Sequence, residues 1–153
     1  MMVLIVYDTV SSTKLTLKVA ETIGQVLREK GFEVDSFFVG EVDKTAVANY
    51  DCLVAGGPTV TLEVSRGIAE FLDGLKGDFS GTCAAAFGTQ LESWMSGSAA
   101  KAIDGKLKKL GFRIVADPLV TYVEGKMNEM QMKVGEPDKA KTWALTLAEN
   151  LSK

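Results

Sequence analysis

Short apolar runs alternate with segments of helical period along this chain, and that alternation constrains its fold more than any other feature. Val3 to Tyr7 is a continuous run of β-branched and apolar residues, the pattern of a strand buried on both faces. The polar stretch Asp8 to Thr13 follows it. Then Leu15, Val19, Ile23, Val26 and Leu27 recur at three- and four-residue spacing until Gly31 supplies a stop. The same pattern predicts strands over Phe32 to Val39, Asp51 to Ala55 and Thr82 to Phe87. Helices are marked by Val64, Ile68, Phe71, Leu72 and Leu75, and by Ala100, Ile103, Leu107 and Leu110. A fifth strand, Phe112 to Ala116 with Leu119 to Val123, is interrupted at Asp117-Pro118. Gly125 to Gly135 reads as a loop with a short strand around Met130 to Val134, and Glu136 to Leu151 closes the chain as a helix.

Strands that alternate with helices build a parallel sheet with helices on both faces. Five such units in 153 residues predict one domain, 1–153. Its class is α/β, a three-layer α/β/α sandwich around a five-stranded parallel sheet of order 2-1-3-4-5. No repeat, linker or low-complexity tract divides it. The longest apolar run, Met1 to Tyr7, is far short of the roughly 20 residues a bilayer needs. It also lacks a basic flank and a small-residue cleavage site, so the expectation is a cytoplasmic protein with no membrane partner.

The chain has no histidine, which removes Ser-His-Asp and Cys-His catalysis together with His-ligated zinc and haem. Its two cysteines, Cys52 and Cys83, lie in apolar segments and form no C-x-x-C pair, against thioredoxin-type redox chemistry. Net charge is -3, from 17 basic and 20 acidic residues, without a basic stripe, so no nucleic-acid partner is expected. Difficult chemistry must therefore come from a bound organic cofactor.

On a sheet of this order, ligands bind beyond the carboxyl ends of the strands. Three loops lie there. The first carries Thr9, Ser11, Ser12, Thr13 and Thr16, hydroxyls ahead of a helix N-terminus that favours an anion, with Lys14 as a cation beside them. The bland reading is a helix cap at Ser12 or Thr13 with the rest a solvated turn. Neither the Walker pattern nor G-x-G-x-x-G is present, which disfavours a nucleoside triphosphate or a dinucleotide. The second loop runs from Gly56-Gly57 through Pro58, Thr59, Val60, Thr61 and Leu62. Its glycines permit close approach to a planar group, which Val60 and Leu62 would touch. Its bland reading is a turn with Thr61 capping the next helix. The third, Phe87 to Met95, offers Gly88, Thr89 and Gln90 to the polar edge of a ring and Trp94 to its face. Packing at the sheet edge is the ordinary fate of such a tryptophan.

The segment Val3-Leu4-Ile5-Val6-Tyr7-Asp8-Thr9, followed by hydroxyls and Thr16-Leu17-Lys18-Val19-Ala20, resembles the phosphate-loop region of flavodoxins. Gly56-Gly57-Pro58-Thr59 resembles that family's G-S-P-T turn after the third strand. Ala85 to Thr89 with Trp94 and Ser96 to Lys101 is similar to single-domain prokaryotic flavodoxin-like proteins. The likeness covers essentially the whole chain. Two departures stand out. The family's loop reads T/S-x-T-G-x-T, and alignment on Thr16 puts Lys14 at its glycine in a loop about two residues longer. The charge is also milder than in many flavodoxins.

The resemblance implies a flavodoxin-like fold and FMN as cofactor. The hydroxyl loop and Lys14 would hold the phosphate, while Pro58 to Leu62 and Gly88 to Trp94 would flank the isoalloxazine. It further implies a flavoprotein of electron transport that carries electrons between redox protein partners, as a monomer or homodimer. The alternatives are a small FMN-dependent NAD(P)H:quinone-type oxidoreductase and a non-flavin module with a degenerate phosphate loop. A response-regulator receiver would need an aspartate where Ala55-Gly56-Gly57 stands.

Overall fold

Along β1 (Met2–Tyr7) the side chains alternate between two apolar layers, and both layers are closed. Val3 and Ile5 face one, Leu4 and Val6 the other, and none of the four is exposed. This is why the run reads as continuously apolar. The computed structural model describes residues 1–10, 13–60, 62–92, 97–126 and 129–153.

After β1 come α1 (Leu15–Glu29), β2 (Glu33–Phe38), a 3-10 turn over Lys44–Asn49, β3 (Cys52–Val60), β4 (Glu63–Val64) and α2 (Arg66–Asp73). Then follow β5 (Cys83–Leu91), α3 (Ala99–Leu110), β6 (Arg113–Ile114), β7 (Leu119–Glu124), β8 (Gln131–Met132) and α4 (Glu136–Leu151). The parallel part of the sheet has the order β2-β1-β3-β5-β7, the expected 2-1-3-4-5. Two short antiparallel strands are added, β4 on β3 and β8 on β7, so the whole sheet is mixed. The split fifth strand is also as expected. β6 and β7 pair in turn with β5, and the chain breaks between them at Asp117-Pro118.

One layer packs α1 and α4 on the sheet through Ile23, Leu27, Leu147 and Phe87; the other packs α2 and α3 through Ile68, Leu72, Ile103 and Leu107. Each such side chain contributes about 1.5–3 kcal/mol on burial. Helix α3 begins at Ser98, whose hydroxyl accepts from Lys101 N–H at 3.3 Å, and ends at Gly111 in the left-handed region (φ 96°).

Three sequence boundaries need correction. The third strand does not stop at Ala55, nor the fourth at Phe87. Both run on, to Val60 and Leu91, with Gly56, Gly57 and Pro58 paired to Phe87, Gly88 and Thr89. Gly56-Gly57-Pro58 punctuates a sequence, but here the glycines serve packing. A Cβ on Gly56 would collide with the Phe87 ring, and one on Gly57 would lie 2.9 Å from Ile68 Cγ2. Val64 belongs to β4 rather than to a helix, and α2 begins only at Arg66.

Candidate functional site

The carboxyl ends of β1, β3 and β5 meet at one pole, and the first side chain beyond β1 is a buried carboxylate. Asp8 continues the ladder by donating its N–H to Gly56 O at 3.0 Å. Its Oδ1 accepts from Thr9 N–H at 2.9 Å and its Oδ2 from the Ser65 hydroxyl at 2.7 Å. Gly67 makes room for it, since a Cβ there would lie 2.6 Å from Oδ2. Ser65 precedes α2 but does not cap it, because its hydroxyl is committed to Asp8. Asp8 and Ser65 were not legible as a pair. The one available signal is an acid placed directly after a buried strand.

Helix α1 starts at Lys14, which lies in the left-handed region (φ 52°, ψ 45°) and gives no side-chain cap. The N-cap position is thus Lys14 rather than Thr13. Lys14 stands where the flavodoxin pattern has glycine, the residue that takes this conformation without Cβ strain. With no side-chain cap and no acidic residue in the first turn, the leading N–H groups of α1 favour an anion. Thr16, in that first turn, is buried, and its hydroxyl lies 3.0 Å from that of Thr89. Thr9 and Thr13 are half-buried in the same loop.

On the second loop, Pro58 O accepts from Ser65 N–H at 3.0 Å, and the Thr59 hydroxyl accepts from Ala99 N–H at 2.9 Å. Thr59 thus also caps α3. Val60 and Leu62 remain at the tip, 40% and 57% exposed, with Leu62 left-handed at φ 69°. The Leu62 carbonyl lies against the Cα of Gly97, which brings the second loop against the chain just ahead of α3. On β5, Gly88 is wedged so tightly that a Cβ would lie 2.8 Å from Ala100 N and 2.9 Å from Gly57 O. Thr121 donates its hydroxyl to Gly88 O at 2.8 Å. Gln90 is half-buried beyond it. The expected Ser11, Ser12, Thr61 and Trp94 lie outside the described residues.

Val10, Val60, Leu62 and Leu91 are exposed apolar side chains on three adjoining loops, beside the open start of α1. Such a pole suits a planar, largely apolar ring that carries a phosphate, and the residues present fit FMN in both respects. Among the described residues no group of three or more Cys, Asp or Glu is placed to hold a metal, and no helix is long and apolar enough to cross a membrane.

A family model described as Flavodoxin matches residues 5–143. The chain belongs to the flavodoxin family. Its cofactor class is accordingly FMN and its role electron transport. Solved structures share the fold at low identity. Flavodoxin 1 from Bacillus cereus superposes with a TM-score of 0.80 at 19% identity, covering 96% of this chain and 97% of that one. A flavodoxin from the domain Archaea gives 0.79 at 20% identity, with 100% of both chains covered. The rubredoxin oxygen:oxidoreductase of Desulfovibrio gigas gives 0.77 at 22% identity over 99% of this chain. This flavodoxin spans only 36% of that longer protein. A sequence search of curated proteins finds no match.

Proposed function

We propose that this flavodoxin holds FMN with its phosphate at the start of α1 and its isoalloxazine against the second and third loops. The observation that carries this reading is the meeting of an uncapped, acid-free helix start with exposed Val60 and Leu62 at one end of the sheet. Thr9, Thr13 and Lys14, with Ser11 and Ser12, donate to phosphate oxygens. Thr16 and Thr89 hold the floor of the site through their shared hydrogen bond. Pro58 and Thr59 set the second loop, Val60 and Leu62 with Thr61 meet the ring, and Gly88, Gln90 and Trp94 line its other side. When bound, FMN supplies the electron chemistry, and the chain supplies orientation, apolar contact and exclusion of water. Electrons then pass to protein partners at this pole. The two free, buried thiols, Cys52 and Cys83, suit a reducing compartment such as the cytoplasm.

The test is an absorbance scan of purified protein before and after addition of FMN and gel filtration. Flavin bands co-eluting near one per chain support the reading; a protein that stays colourless overturns it. Adding NAD(P)H to the loaded protein separates carrier from reductase, because only a reductase bleaches its flavin without a second protein.

A further inference from the structure

The amino end of the sheet carries two thiols and a guanidinium in one row. Cys52 opens β3, Cys83 opens β5 and Arg113 opens β6; the register pairs Cys52 with Cys83 and Cys83 with Arg113. Residues paired in this way on parallel strands project to the same face. Both cysteines accordingly lie in the layer closed by α1 and α4. Arg113 donates from Nη2 to Cys83 Sγ at 2.9 Å. Neighbouring strands run about 4.8 Å apart, inside the range of about 4.4–6.8 Å that disulfides span between Cα atoms. The two sulfurs are thus within reach of one bond. They stand 31 positions apart in sequence, so no local spacing discloses the pair. The function proposed above uses neither thiol.

The two sulfurs are not equivalent. Cys52 is wholly buried, and burial pushes its thiol up, which keeps it protonated. Cys83 is 3% exposed and sits beside the exposed Arg113, so a reagent from solvent meets it first. The nucleophile in sulfur chemistry is the thiolate, and a guanidinium neighbour favours that form. We propose that this pair is a hydroperoxide-sensitive modification site, with Cys83 as the attacking sulfur and Cys52 as the resolving one. The Cys83 thiolate attacks one oxygen of hydrogen peroxide. An S–O bond forms, the O–O bond breaks, and the departing hydroxide takes up a proton as water. The Cys52 sulfur then displaces the hydroxyl of the Cys83 sulfenic acid. An S–S bond forms, the S–O bond breaks, and the hydroxyl leaves with the Cys52 proton as a second water. The thiols lose two electrons to the peroxide, and exchange with a small thiol restores them. Pro58 and Thr89 stand six residues further along the two strands, about 20 Å at the usual rise per residue. The modification therefore works apart from the flavin pole and does not depend on flavin being bound there.

The test treats the folded protein with hydrogen peroxide, quenches it, denatures it in iodoacetamide and reads the intact mass over time. The expected product is a single chain that has lost two hydrogens and takes up two alkyl groups only after reduction. Arg113→Met changes an exposed side chain and should slow closure at least fivefold, while Arg113→Lys retains more of the rate. Cys52→Ala should stop at the Cys83 sulfenic acid, which dimedone traps, and Cys83→Ala should leave Cys52 a thiol. Urea midpoints taken before peroxide show which variants are folded. If either alanine variant fails to fold, wild type against Arg113→Met decides alone. Two alkyl groups on peroxide-treated wild type overturn the proposal, as does a disulfide formed between chains. Equal rates for wild type and Arg113→Met, or dimedone found on Cys52, overturn it as well.

Discussion

The hydroxyls of Thr16 and Thr89 meet at 3.0 Å across 73 residues of chain, in the buried gap between the first turn of α1 and the end of β5. Among the described residues neither hydroxyl has another hydrogen-bond partner, so the pair fixes how far α1 stands from the end of β5. Thr89→Val keeps the shape and removes one hydroxyl. It should lower stability by about 1–2 kcal/mol, because the Thr16 hydroxyl is left without this partner. Urea unfolding of the flavin-free protein reads this directly, and an unchanged midpoint would show that the contact carries no stability.

Asp8 joins the first loop to the start of α2 through the Ser65 hydroxyl at 2.7 Å. Ser65→Ala leaves a buried carboxylate oxygen without that donor, a loss of about 2–3 kcal/mol. The second loop is also held by Ser65, whose N–H donates to Pro58 O. FMN affinity should therefore fall along with stability, while Ser65→Thr, which keeps the hydroxyl, should restore much of both. The check is calorimetric titration with FMN beside thermal unfolding.

The parts of this arrangement that sequence discloses are those with a period. Ile23 and Leu27 on α1 or Ile103 and Leu107 on α3 are legible because one helix face must be apolar. The alternating burial of Val3 to Val6 makes β1 legible in the same way. Strand ends were misread where glycine serves a neighbour rather than a turn, as Gly56 does beneath Phe87 and Gly88 does against Ala100. Asp8 and Ser65 stayed hidden because a pair 57 positions apart leaves no local signal. Thr59 was read as a ligand contact alone. Its bond to Ala99 N–H shows a capping role that depends on where α3 starts in space.

At the β2 edge, Tyr50 donates its hydroxyl to Asp35 Oδ2 at 2.7 Å. That hydrogen bond, with partial burial, pushes the phenol from 10.0 up to about 12. A raised pKa means that the folded state holds the proton more tightly than the unfolded chain does. The contribution is thus complete below pH 10 and is lost as pH rises from 10 to about 12. Wild type should therefore lose stability faster than Tyr50→Phe across this window. Urea midpoints at pH 9 and 11 for both proteins give the comparison, and parallel slopes would rule the bond out as its source.

Lys14 holds a left-handed conformation at the start of α1, which costs a residue with a Cβ about 1–2 kcal/mol relative to glycine. Glycine in turn costs about 0.4–1 kcal/mol of unfolded-state entropy relative to alanine. The two terms oppose each other, and the first is larger. Lys14→Gly should therefore be more stable than Lys14→Ala by about 0.5–1 kcal/mol, the reverse of the order inside a helix. Both variants remove the ammonium, so both should bind FMN more weakly than wild type, with the glycine variant less affected because its loop is relaxed. Unfolding midpoints give the conformational part and FMN titration the charge. If alanine proves the more stable, Lys14 is not held left-handed in solution.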